Sequence, residues 1–193
     1  MSALRERAGR VRLLVLDVDG VLTDGTLWFG PDGEALKTFN VRDGYGIRML
    51  RRAGVDVAII SGRDSEAVNV RMRELGVEHV MQGVADKQVA LDALLARLAV
   101  GADEVACLVD DLPDMPLLRT VGVPAAVADA HPVVRRAADL VTNATGGNGA
   151  VREVCEDLLS AQGLWEKVLT RYRGEETRTR PLSEKNIGDG GAD

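Results

Sequence analysis

The sequence predicts an α/β domain: a Rossmann-like three-layer sandwich around a mostly parallel sheet. Three observations lead there. Apolar runs of strand length alternate with segments of helical periodicity. The runs are hydrophobic throughout, as in strands covered on both faces. The chain has 193 residues and a hydrophobic fraction of 46%, enough for one core and not comfortably for two.

The elements follow in order. Residues 11–16 form the first buried strand, and residues 55–60, 105–109 and 123–127 read the same way. Residues 79–81 and 140–142 are shorter candidates. Val68, Met72 and Leu75 mark a helix face, with Asp64 or Ser65 as its start and Gly76 as its stop. Leu91, Leu94, Leu95 and Leu98 mark the next face, and Val151, Val154 and Leu158 a later one. One segment departs from the pattern. Residues 26–39 read as a β-hairpin around Gly30-Pro31-Asp32-Gly33, inserted directly after the first strand. The folded domain is expected over 11–172. Residues 173–193 lose apolar periodicity, become Arg/Glu/Thr-rich and then Gly/Asp-rich, and read as a mobile tail.

Composition narrows the function. The net charge of -6 argues against nucleic acid, which favours a basic stripe. An anionic substrate would need a metal or a few placed cations. No apolar run approaches the roughly 18 residues of a membrane span. Residues 1–12 carry four arginines and no apolar core of a secretory signal, so a cytoplasmic location is expected. Cys107 and Cys155 lack metal-ligand spacing and read as small core residues. His79 and His131 stand alone and read as structural.

The residues that carry chemistry fall at strand ends. Asp17-Val18-Asp19-Gly20 follows the first strand, and Ser61-Gly62-Arg63 the second. Lys87 opens the helix after the third, and Asp110-Asp111-Leu112-Pro113-Asp114 follows the fourth. Open α/β sheets bind ligands at the carboxyl ends of their strands, so four distant segments would meet in one crevice. Singly, Ser61 reads as a turn residue, Lys87 as a surface lysine and the acidic run as a helix start. Together, and in this order, those plain readings lose their force.

This constellation resembles the haloacid dehalogenase superfamily. Within it, the chain is similar to the cap-less 3-deoxy-D-manno-octulosonate 8-phosphate phosphatases. The similarity rests on DVDGVLTDG (17–25), FNVRDGYGIR (39–48), SGR (61–63), QGVADK (82–87), VADAHP (127–132) and GGNGAVREVC (146–155). It implies a phosphatase requiring Mg²⁺, held by Asp17, the backbone carbonyl of Asp19, and Asp110. Asp17 is implied as nucleophile, Asp19 as general acid and base, and Ser61 and Lys87 as ligands of the phosphoryl oxygens. Asp114 would orient Lys87, and Asp111 would support the metal. Asn40, Arg42 and Asp43, in the loop after the hairpin, with Gly62, Arg63 and Arg71, are the candidates for contact with a phosphorylated sugar acid. For Arg71 a solvated helix face is an equal reading.

Neither interval between motifs has room for a cap domain. Leu27, Trp28, Phe29, Leu36 and Phe39 give the hairpin more apolar surface than two strands can bury. The resemblance therefore implies a homotetramer joined through hairpins. Two alternatives stand beside the eight-carbon substrate: a nine-carbon sugar acid 9-phosphate, or a weakly catalytic oligomeric regulatory module. The module rests on Val109, which occupies the family's usual glycine position and is expected to force a small adjustment of the metal loop.

Overall fold

The structure, a computed structural model, describes residues 3–31, 33–171 and 173, without the side chain of Ala35. The expected tail, apart from Arg173, lies outside the described residues. In chain order the elements are α1 (Ala3–Ala8), β1 (Leu13–Leu16), β2 (Trp28–Gly30), β3 (Gly33–Leu36), α2 (Val41–Arg52), β4 (Asp56–Ile60), α3 (Glu66–Leu75), β5 (His79–Met81) and α4 (Lys87–Leu98). Then follow β6 (Val105–Val109), α5 (Met115–Thr120), β7 (Val123–Ala126), α6 (Pro132–Ala137), β8 (Leu140–Val141), α7 (Ala150–Ala161) and α8 (Trp165–Thr170).

Six strands form one sheet in the order β5-β4-β1-β6-β7-β8, and every pairing is parallel. β1 is central: Leu13 pairs with Asp56 on one side and Val105 on the other. The chain builds β4 and β5 on one side of β1, then crosses to β6, β7 and β8. The order reverses at β1, so the carboxyl end of β1 is the topological switch point. β1, β6 and β7 are buried along their whole length, which is why they read as unbroken apolar runs. The helices present the expected faces: Val68, Met72 and Leu75 of α3, Leu91 and Leu94 of α4, and Val151, Val154 and Leu158 of α7 are buried. Gly76 ends α3 in the left-handed region, at φ 73.

β2 and β3 form a separate antiparallel pair. Trp28, Phe29 and Leu36 on it are 55%, 65% and 62% exposed, so these three do not fold onto their own domain, whereas Phe39 packs against the core.

Three local expectations change. α1 extends the folded unit before residue 11: Arg7 donates to the Gly122 carbonyl at 2.8 Å and pairs with Asp139 at 2.7 Å. Its six residues, with Arg5, Glu6 and Arg7 among them, are too short and too charged a run to show apolar periodicity. Asn40 ends the loop after the hairpin, but Arg42 and Asp43 do not lie in it. Asn40 caps α2 by accepting the Arg42 N–H at 2.8 Å, and Arg42 and Asp43 form the first turn. Val109 is a buried strand residue paired with Ala126, and Ala99 is the one non-glycine residue with positive φ among those described. A β-branched side chain therefore meets no glycine-only conformation at 109. Both cysteines are buried free thiols. Among the described residues no helix is long and apolar enough to cross a membrane.

Candidate active site

A crevice of about 340 Å³ opens at the carboxyl ends of β1, β4 and β6. Asp17, Asp19, Gly25, Ser61, Gly62, Arg63, Lys87, Asp110, Asp111, Pro113 and Asp114 line it. All four strand-end motifs are thus brought together. Asp17 leaves β1 with its N–H donating to the Leu108 carbonyl, which ties the turn to β6. Ser61 leaves β4 and is tied to β5 in the same way, its N–H on the Met81 carbonyl at 2.9 Å. Lys87 is the first residue of α4, whose cap Asp86 accepts the N–H groups of Gln88 and Val89. Asp111 caps the turn after β6 and accepts the Leu112 N–H, and Asp114 ends that turn buried beneath the crevice.

Lys87 joins the set. Its Nζ lies 3.0 Å from Asp17 Oδ1 and 2.5 Å from Asp114 Oδ1. Burial works against the ammonium, but Asp17 and Asp114 outweigh it and raise its pKa. One cation faces three carboxylates: Asp17, Asp110 and Asp114 have oxygens within 4.8 Å of one another. Burial and then the Asp114 charge push Asp17 up to about 6. Burial and then the charges of Asp17, Asp114 and Asp111 push Asp110 up to about 7. Burial also raises Asp114. These carboxyls lack sufficient positive charge. A small cation with hard oxygen preference fits the deficit and the donor set.

The second acidic residue of the motif sits in a different network. Asp19 forms ion pairs with Lys37 through Oδ1 and with Arg63 through Oδ2, the latter at 3.5 Å. Glu34 of β3 pairs with both cations, with Lys37 at 3.3 Å and Arg63 at 3.1 Å, and accepts the Ser65 hydroxyl at 2.6 Å. These contacts hold the Glu34 carboxyl below its ordinary pKa against the opposing effect of burial. Arg63 also stands over the Phe29 ring at 5.9 Å. Lys37, Glu34 and Ser65 were missed in the sequence. The signal was there: Glu34 and Lys37 are opposite charges three residues apart in a hairpin beside a cation-poor motif.

Four expected sugar contacts do not line the crevice. Asn40 is engaged as a cap. Asp43 is buried, and its carboxylate accepts the N–H groups of Gly149 at 3.2 Å and Arg152 at 2.8 Å, anchoring the start of α7. Arg42 is exposed in the first turn of α2. Arg71 pairs with Glu74 at 2.8 Å, and its guanidinium rests against Gly44. His79 meets Arg97, and His131 caps α6.

A family model for haloacid dehalogenase-like hydrolases matches residues 77–154. The 3-deoxy-D-manno-octulosonate 8-phosphate phosphatase of Salmonella typhi is 52% identical over 157 residues, which is 81% of this chain and 84% of the relative. The chain belongs to this phosphatase family of the haloacid dehalogenase-like hydrolases. Solved members share its fold. A probable phosphatase from Pseudomonas syringae superposes with a TM-score of 0.87 at 52% identity, covering 89% of this chain and 98% of that one. The octulosonate phosphatase of Moraxella catarrhalis, solved with a magnesium ion, a phosphate ion and a 3-deoxy-D-manno-octulosonate (KDO) molecule, superposes with a TM-score of 0.86 at 38% identity. The coverage there is 89% of this chain and 99% of that one.

Proposed function

We propose that this chain is a magnesium-dependent phosphatase that hydrolyses 3-deoxy-D-manno-octulosonate 8-phosphate to KDO and phosphate. The observation that carries the reading is the switch-point cluster: buried Asp17, with Lys87 between it and Asp114 and with Asp110 alongside. The cluster sits in a chain half-identical to phosphatases of that name.

Asp17 and Asp110, through their carboxylates, and Asp19, through its carbonyl, would hold Mg²⁺, which would supply the positive charge an anionic ester needs to approach. Asp17 attacks phosphorus and becomes an aspartyl-phosphate as the bond to the leaving oxygen breaks. Asp19 gives a proton to that oxygen, then takes one from the water that hydrolyses the acyl phosphate. Ser61 and Lys87 hold the phosphoryl oxygens on which charge accumulates. Asp114 fixes the Lys87 ammonium, and Asp111 shapes the turn that presents Asp110. Arg63 and Gly62 line the crevice, which supports Arg63 as the partner of the substrate's sugar carboxylate, because a guanidinium binds a carboxylate in bidentate fashion.

The exposed Trp28, Phe29 and Leu36 support a homotetramer in which hairpins pack together and close each open crevice. Buried free thiols fit a reducing, cytoplasmic location. A phosphate-release assay with Mg²⁺, using eight-carbon 8-phosphate, nine-carbon 9-phosphate and hexose phosphate, tests the reading. The eight-carbon ester should have the highest kcat/KM. Equal constants for all three would refute the substrate, and no release from any would refute the phosphatase.

A further inference from the structure

Resting on the proton-transfer role given to Asp19 above, we propose that Lys37 of the hairpin is a positioning residue. It holds Asp19 by Oδ1, so that Oδ2 is the oxygen that gives and takes the proton. Three observations point to this. First, the Lys37 side chain is only 2% exposed although it lies just past the end of a hairpin whose apolar residues face solvent. Lysine is almost never so buried unless paired, and here it is paired twice, with Asp19 and Glu34. Second, the two oxygens of Asp19 are held unequally. Lys37 takes Oδ1 in close contact from a buried position, whereas Arg63 takes Oδ2 at 3.5 Å from a side chain 43% exposed. Substrate can displace the exposed arginine and cannot readily displace the buried lysine. Third, Glu34 ties the pair to the main domain, because it binds both cations and accepts the Ser65 hydroxyl at the start of α3.

A carboxylic acid has one hydroxyl oxygen and one acceptor oxygen. With Lys37 on the acceptor, Oδ2 carries the proton toward the breaking phosphorus–oxygen bond. After that proton moves to the leaving alkoxide, Oδ2 is the free lone pair that receives a proton from the attacking water. Lys37 is not among the residues that line the crevice. It acts by fixing the rotamer of Asp19, and it makes that rotamer depend on an ordered hairpin.

The test uses leaving groups that differ in their need for a proton. A sugar phosphate departs as an alkoxide and needs one; p-nitrophenyl phosphate departs as a stable phenolate and does not. Lys37→Met keeps the length and the burial and removes the cation. With Mg²⁺, kcat for the sugar phosphate should fall by about 30- to 100-fold, the range of a mispositioned proton donor. For p-nitrophenyl phosphate the pre-steady-state burst of p-nitrophenolate, which reads the attack on phosphorus alone, should slow by less than about threefold, since that leaving group needs no proton; the later hydrolysis of the aspartyl-phosphate uses Oδ2 as base and slows for both esters. Lys37→Arg, which restores a cation, should recover most of the sugar-phosphate rate. A p-nitrophenolate burst slowed as much as the sugar phosphate's cleavage, an unchanged kcat, or a loss confined to KM of the sugar substrate would each overturn the proposal. If Lys37→Met does not fold, Glu34→Gln loosens the same lysine from its other side and must show the same ester selectivity. Any alkyl phosphate that the unmodified enzyme cleaves can serve, so a wrong substrate is distinguished from a wrong role for Lys37.

Discussion

Gly146 lies directly on the carbonyl of Gly20: a Cβ at 146 would stand 1.7 Å from the Gly20 oxygen. The same loop donates the Gly147 N–H to the Val21 carbonyl at 2.8 Å, and Asp129 accepts the Gly146 N–H at 3.0 Å. The loop before α7 is thus the backing of the turn that carries Asp17 and Asp19. Gly20 is itself at φ +83, where a Cβ would meet the Asp110 carboxylate at 2.0 Å.

Gly146→Ala forces that backing away. Overpacking of this kind costs about 1–3 kcal/mol, which a denaturant melt will read. Turnover should fall further than stability accounts for, by about 100-fold, because a shift of about 1 Å at the nucleophile is worth that much. Full activity in a destabilised variant would separate the loop from the site.

The sheet and the strand-end residues were legible because their causes are local. Buried parallel strands are apolar in every position, and a ligand site at a switch point draws polar residues to strand ends. The Glu34–Lys37 spacing was visible, but its partners were not: a hairpin lysine looks solvated until the fold sets it beside Asp19, 18 residues earlier. Asp43 misled for the opposite reason. A carboxylate in a distinctive motif reads as a ligand group, yet it satisfies two backbone N–H groups of α7, 106 and 109 residues away.

Asp43→Ala should accordingly act on stability. Leaving those half-buried N–H groups without an acceptor costs about 1–3 kcal/mol. Turnover of a small ester should change by less than about threefold, since the carboxylate faces α7 and not phosphorus. A large loss of kcat at unchanged stability would return Asp43 to the site.

The carboxyl cluster gives magnesium a pH-dependent grip. Folded Asp17 and Asp110 have pKa values raised from 3.8 to about 6 and about 7. The folded state therefore binds protons more tightly than the unfolded chain. The stabilisation they contribute is present below pH 3.8 and is lost as pH rises through about 6 and 7. Magnesium competes with those protons, so its stabilising effect should be small near pH 5 and large near pH 8. At one hundred times its Kd the effect is about 2.7 kcal/mol, or roughly 5–10 °C in Tm at this size. Scanning calorimetry with and without magnesium at the two pH values checks it. An equal shift at both would contradict the cluster as the metal site.

Replacing Trp28 and Phe29 with serine removes exposed apolar surface that the sheet does not use. Sedimentation should show the unmodified chain as a tetramer and the variant dissociated, with far-ultraviolet circular dichroism unchanged. A monomeric unmodified chain would refute the assembly.

The central claim is that Asp17 carries the phosphoryl group. Acid-quenching the enzyme during turnover of a phosphate-labelled ester, followed by peptide mapping, tests it most directly. The account predicts acid-stable, base-labile label on the peptide containing Asp17, and neither label nor turnover in Asp17→Asn. Steady phosphate release from the Asp17→Asn protein, or label on another residue, would contradict it.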